Sequence, residues 1–223
     1  MATILISGAN RGIGLRLSQR FAARGDRVIA LCRTSSPELA ASGAQVEAGI
    51  DVTDGPALEA LSARLGEVRL DVLVCNAGIF LDDGADPIEE TGYESMRQQF
   101  DVNALGPLRL VQSMRGRLGA GSKVGIVTSR MGSVADNGSG GHFGYRASKA
   151  AVNAIGKSLS VDLRPAGVAV FLLHPGYVST DMTGHRGDTS PEQSATNLIQ
   201  RLDSLTLAQT GTFWHANGAP LHW

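Results

Sequence analysis

The stretch Ser7-Gly8-Ala9-Asn10-Arg11-Gly12-Ile13-Gly14 decides the fold of this 223-residue chain. It joins an apolar run, Thr3–Ser7, to a helical pattern, Ile13–Ala23. In that setting each glycine has its own task. Gly8 makes a tight turn at the strand end, Gly12 lets backbone approach a pyrophosphate, and Gly14 lets the helix close on the sheet. The helix N-terminus then offers free N–H groups and partial positive charge to phosphate. Three glycines alone are an ordinary turn. After the first strand and at the opening of the first helix, they read as a dinucleotide-binding loop. Its candidate contacts are Gly8, Asn10, Arg11, Gly12, Ile13 and Gly14.

Outward from this loop, strand and helix patterns alternate to the end of the chain. The runs Arg27–Cys32, Gln45–Asp51, Leu70–Cys75, Lys123–Ser129, Val168–His174 and Gly211–His215 are short, mostly rich in Val, Ile and Leu, and apolar on both faces. Strands inside a parallel sheet read this way. Helical patterns lie at Ala57–Leu65, Tyr93–Leu118, Tyr145–Leu163 and Pro191–Leu202, with Gly25, Gly66 and Gly167 just past helix ends. The alternation predicts an α/β Rossmann fold: a doubly wound seven-stranded parallel sheet with helices on both faces. The length suits one domain spanning residues 1–223. Two loops read as long and polar. One is Leu81–Thr91, with Asp82, Asp83, Asp86, Glu89 and Glu90; the other is the glycine-rich Arg130–Gly144.

Bulk properties narrow the function. The chain is 43% hydrophobic and 18% charged, with a net charge of −1 and no basic stripe, so nucleic acid is not an expected partner. The cysteines, Cys32 and Cys75, each end an apolar run and read as buried thiols rather than metal ligands. No metal site is expected. The opening MATILISGAN does not read as a secretory signal. No 18-residue apolar stretch exists, so no membrane association is expected and the expected location is cytoplasmic.

The second strand bears on the cofactor. An acid at its end usually bonds the ribose 2′-hydroxyl of NAD. Here the strand ends Ala30-Leu31-Cys32-Arg33. Arg33, with Arg11 in the glycine loop, is placed to reach a 2′-phosphate, each bond contributing about 1.5–3 kcal/mol. NADP(H) is therefore expected over NAD(H), unless both arginines are plain surface charges. Asp51 and Val52 close the third strand. Asp51 either bonds the adenine amino group or caps the following helix. Asn76-Ala77-Gly78 ends the fourth strand, either as a small-residue platform for the cofactor's sugar or as a simple turn.

Tyr145 and Lys149, four residues apart in a helical pattern, share a helix face. A lysine cation at roughly 4 Å favours a phenolate by up to about 4 kcal/mol at an effective dielectric of ~20. The expectation is a tyrosine titrating near neutrality, as a general acid or base requires.

Together, SGANRGIG, Asp51, Asn76-Ala77-Gly78, Asn103, Thr128-Ser129, Tyr145-Arg-Ala-Ser-Lys149 and Pro175-Gly176-Tyr-Val-Ser-Thr180 resemble the short-chain dehydrogenase/reductase superfamily. Arg130-Met-Gly-Ser, the Gly-Gly before Tyr145 and the ending in Trp223 resemble its C-factor and sniffer-type carbonyl reductase branch. The resemblance implies that Tyr145 exchanges a proton with the substrate oxygen. Lys149 then lowers the tyrosine pKa and bonds the nicotinamide ribose. Ser129 bonds the substrate oxygen, with Thr128 and Ser133 as nearby hydroxyl alternatives. Asn103 holds a water linking Lys149 to solvent. Pro175, Gly176, Val178 and Thr180 line the nicotinamide. Many relatives carry a long insertion after Pro-Gly. Here only Tyr177–Thr189 precedes Ser190-Pro191-Glu192, which reads as the start of the next helix. An open substrate mouth shaped by Met131, His142, Tyr177 and Met182 is expected, with His142 a loop residue rather than a catalyst. The implied activity is reduction of small or medium aldehydes, ketones or quinone-like carbonyls. The alternative is a nucleotide-bound signal or redox sensor of C-factor type. The family's habit implies a homodimer or homotetramer built on the runs Tyr93–Leu118 and Tyr145–Leu163.

Overall fold

Among the residues that the computed structural model describes, 1–82, 87–90 and 92–223, seven strands pair in parallel. They are β1 (Thr3–Ser7), β2 (Arg27–Leu31), β3 (Gln45–Glu47), β4 (Val72–Cys75), β5 (Lys123–Val127), β6 (Ala169–His174) and β7 (Thr212–His215). Their order across the sheet is β3-β2-β1-β4-β5-β6-β7. The chain winds outward from β1 to β3, then returns to β4 on the other side of β1. The carboxyl ends of β1 and β4 therefore flank the switch point, where open α/β sheets bind ligands.

The helices are α1 (Gly12–Ala23), α2 (Pro37–Ala40), α3 (Gly55–Leu65), α4 (Pro87–Glu90), α5 (Tyr93–Phe100), α6 (Gly106–Met114), α7 (Phe143–Asp162) and α8 (Pro191–Ser204). Period-two side chains explain why the strands are apolar throughout. From β1, Ile4 and Ile6 join a core with Leu17 and Phe21 of α1 and Leu198 and Leu202 of α8. Leu5 joins the opposite core with Leu58 and Leu61 of α3, Leu110 of α6 and Val152 of α7. Both cysteines are free and buried, and burial pushes the Cys75 thiol up to about 12. No described helix is long and apolar enough to cross a membrane.

The structure departs from the sequence reading in particular places. β3 stops at Glu47 rather than Asp51, because Gly49 turns the chain at φ +77°. α2 went unread, although Ser36 accepts a hydrogen bond from Leu39 N (3.2 Å) and Pro37 stands in its first turn. The Tyr93–Leu118 pattern is not one α-helix. Between α5 and α6 lies a π turn, Asp101–Leu105, closed by Gly106 N donating to Asp101 O. Pro107, which has no N–H to continue an α-helical ladder, follows at once. Of the acidic loop, Asp83, Asp86 and Thr91 lie outside the described residues.

Candidate active site

The glycine loop is shaped by what surrounds it. Gly8 takes φ +67°, and a Cβ there would lie 2.8 Å from Ala77 Cα. A Cβ on Gly14 would collide with Gly8 O and lie 2.6 Å from Asn76 Nδ2. Asn76 Nδ2 donates to Ser7 O and Gly8 O, both at 3.1 Å. Ser7 Oγ accepts from Asn76 N (3.1 Å) and Ala77 N (3.2 Å). Asn76-Ala77 is thus no free turn; it braces the β1 exit against the β4 exit.

A cleft of about 650 Å³ runs along these carboxyl ends. Arg33, Ser36, Asp51 and Val52 line one end. Gly8, Asn10, Arg11, Gly12 and Ile13, with Asn76, Ala77 and Gly78, line the middle. Tyr145, Lys149, Pro175 and Thr180 line the other end. Gly14, Gly176 and Val178 do not line it. Gly14 is spent on helix packing, Val178 is buried, and Gly176 (φ +96°) faces Thr189. Across the middle, a Cβ on Gly12 would meet Thr180 Cγ2 at 3.4 Å. α1 starts there with no acid in its first turn and no side-chain cap, leaving its first N–H groups to a ligand. A continuous cleft with this floor fits a dinucleotide.

At the Arg33 end, Arg33 Nη1 stands 3.9 Å from Asp51 Oδ2, and the Arg33 side chain is largely exposed. Asp51 Oδ1 accepts from Thr53 N (2.9 Å) and Thr53 Oγ1 (2.8 Å). The cap of α3 is instead Asp54, which accepts from Ala57 N at 3.0 Å. The helix-capping alternative for Asp51 is therefore corrected: the chain still turns through Asp51, and the helix begins four residues later, at Gly55. Arg11 Nη1 bonds Asp181 Oδ2 at 2.7 Å. Ser36, which the sequence reading missed, donates to Asn10 O (2.8 Å) and lines the same end. Its signal was the Ser-Pro-Glu helix start.

At the other end, α7 presents Tyr145 and Lys149 side by side, with Lys149 Nζ 5.6 Å from the tyrosine ring centroid. Lys149 Nζ donates to Val127 O at 3.2 Å. Ser129 accepts from Met131 N (3.1 Å) and stands close enough to Tyr145 to draw its phenol pKa down. The competing hydroxyls are engaged elsewhere. Thr128 Oγ1 donates to Asn153 Oδ1 (2.8 Å), and Ser133 Oγ accepts from Asp136 N (3.2 Å). Phe80, another missed residue, sets its ring edge-on to Tyr145 at 5.1 Å and lies 5.2 Å from the His142 ring.

The protein's own groups do not bring Tyr145 toward neutrality, which corrects the sequence expectation. Burial pushes the phenol up to about 12, against a smaller downward pull from the nearby Ser129 hydroxyl. Burial likewise draws Lys149 down to about 8. Both groups lose water, and that loss outweighs the pull of a cation 5.6 Å from the ring centroid.

Asn103 sits in the π turn with its side chain bonded to the protein. Nδ2 donates to Ile79 O (2.9 Å) and Ser148 Oγ (3.0 Å), and Oδ1 accepts from Ile79 N (2.8 Å). It fastens the β4 exit to α7 near Lys149. Of the four expected substrate contacts, Met182 lines the cleft, whereas Met131, His142 and Tyr177 do not. His142 takes a left-handed φ of +51° directly before α7, and Tyr177 is exposed. The short segment between Tyr177 and Thr189 holds a 3-10 turn, Asp181–Thr183. Ser190 caps α8 by accepting from Gln193 N at 3.1 Å.

Residues 2–191 match the family model described as short chain dehydrogenase. The chain is 44% identical over 229 aligned residues, all of both chains, to 1-hydroxy-2-glutathionyl-2-methyl-3-butene dehydrogenase of Rhodococcus sp. strain AD45. It is 41% identical to the C-signal of Myxococcus xanthus over 69% of this chain and 93% of that one. Among solved structures it resembles the carbonyl reductase Sniffer of D. melanogaster, with TM-score 0.91 and 30% identity over all of both chains. It also resembles an NADPH-bound carbonyl reductase from chicken fatty liver, with TM-score 0.90 and 27% identity over 100% of this chain and 99% of the other. With the glycine loop and the Tyr145–Lys149 pair gathered along one cleft, and with the family model matched over residues 2–191, this chain belongs to the short-chain dehydrogenase family.

Proposed function

We propose that residues 1–223 form one catalytic unit that uses NADP(H), in preference to NAD(H), to reduce carbonyl groups of aldehydes, ketones or quinone-like compounds. The observation that carries this reading is the Tyr145 phenol beside Lys149, with Ser129 near it, at the end of a cleft floored by the glycine loop. When bound, the nicotinamide supplies the hydride that ends on the carbonyl carbon. Tyr145 gives its proton to the carbonyl oxygen. Ser129 holds that oxygen with a hydrogen bond. Lys149 bonds the cofactor's ribose and compensates charge on Tyr145 as the proton leaves. Arg33 in place of an acid after β2 supports the phosphorylated cofactor, as does the NADPH named for the chicken reductase.

We also propose a homodimer or homotetramer joined through α5 and α7, where Tyr93, Phe100 and Val161 are exposed. The name of the M. xanthus relative supports a second reading as a signal. The intact serine, tyrosine and lysine favour catalysis.

The test is turnover of NADPH or NADH with a carbonyl panel. NADP⁺ with a hydroxyalkyl glutathione conjugate is added because of the Rhodococcus relative's name. Wild type and Tyr145→Phe are run side by side. NADPH-dependent turnover that falls at least about a hundredfold in the variant is expected. Equal turnover in both proteins would remove Tyr145 from the reaction. NADPH binding without turnover on any substrate would favour the signalling reading.

A further inference from the structure

The segment after Thr180 closes tightly on itself. Thr183 Oγ1 donates to Val178 O (2.7 Å), His185 N donates to Thr180 O (2.9 Å), and Gly184 and His185 both take left-handed φ, +56° and +58°. A non-glycine residue there is strained. The result is to fix Asp181 between two basic side chains. Its Oδ2 lies 2.7 Å from Arg11 Nη1 and its Oδ1 lies 3.1 Å from His185 Nε2. All three residues line the cleft, next to Gly12 and the uncapped start of α1. Arginine, an imidazole and a bare helix N-terminus form a surrounding suited to phosphate, and here the protein's own carboxylate occupies it.

We propose that Asp181 is a resident anion in a phosphate subsite. It holds Arg11 until a phosphate group of the dinucleotide displaces it, and so weakens cofactor binding. The inference rests on the reading of the cleft as an NADP(H) site. Arg11 alternates between two anions: the Asp181 carboxylate, and either the 2′-phosphate or the pyrophosphate of the cofactor. Asp181 thereby limits affinity without touching the reacting atoms. The Arg11–Asp181 pair is more than half exposed on both sides, so the effect is modest. Exposed ion pairs of this kind correspond to a change of about two- to fivefold in affinity.

The experiment is calorimetric titration of NADPH and NADH into wild type, Asp181→Asn, Arg11→Gln and the double variant, with melting curves confirming that each folds. Asp181→Asn is expected to tighten NADPH by about two- to fivefold, and the gain is expected to vanish in the Arg11→Gln background. A gain confined to NADPH identifies the 2′-phosphate as the displacing group, and an equal gain with NADH identifies the pyrophosphate; both uphold the proposal. An unchanged or weaker NADPH affinity in Asp181→Asn overturns it, as does a gain that persists undiminished without Arg11. Failure of wild type to bind either nucleotide would remove the dinucleotide reading and this inference together. Normal binding with a silent Asp181→Asn would remove this inference alone.

Discussion

Burial draws the Lys149 ammonium from an ordinary 10.5 down to about 8, although it keeps a bond to Val127 O. Between pH 8 and 10.5 the unfolded chain binds the proton that the folded chain has released, so this group makes stability rise with pH across that window. Below pH 8 its burial costs roughly 3 kcal/mol. Lys149→Met removes that cost and loses the Val127 bond. It is expected to raise Tm at pH 7 by about 2–8 °C, shrinking toward zero above pH 10, while turnover is lost. A lower Tm at pH 7 would show that the lysine stabilises the fold. The same titration governs rate. Tyr145, at about 12, keeps its proton through the working range. Reductive kcat/KM is therefore expected to be level below pH 7 and to decline as pH rises through about 8, when Lys149 loses its charge. A profile flat to pH 10 would contradict this.

At the scale of elements, α5, the π turn and α7 do two jobs. Inward, Asn103 joins the β4 exit to Ser148. Outward, α5 and α7 border an apolar groove lined by Tyr93, Met96, Phe100, Leu105 and Ala147. If copies of the chain join here, Phe100→Asp, which places a charge on that face, is expected to lower the mass seen by sedimentation to that of one chain while leaving the melting transition within a few degrees. Unchanged assembly in that variant would move the interface elsewhere. The shared face of Tyr145 and Lys149 was legible because four-residue spacing on a helix is local. The π turn was not read, although Pro107 marked where an α-helix loses a donor. β3 was read too long because Gly49 was counted as strand.

Across the whole molecule, legibility follows sequence distance. The alternation of apolar runs carried the parallel sheet, and the glycine loop marked the end of β1. Strand order then brings β4 beside β1, which is why Asn76 could be suspected of a site role but its bracing of Gly8 could not be read. Arg11 and Asp181 are 170 residues apart, and no local pattern joins them. Phe80 against Tyr145 is hidden for the same reason, as is the burial that raises the phenol instead of lowering it. The claim on which the account rests is that this cleft moves hydride to a carbonyl carbon. The most direct measurement uses NADPH deuterated at the transferable position of the nicotinamide, with the best aldehyde or ketone of the panel, and follows the label by NMR. One deuterium on the carbinol carbon of the product, formed by wild type and not by Tyr145→Phe, is the expected result. Alcohol formed without the label, or NADPH consumed with no labelled alcohol, would contradict it.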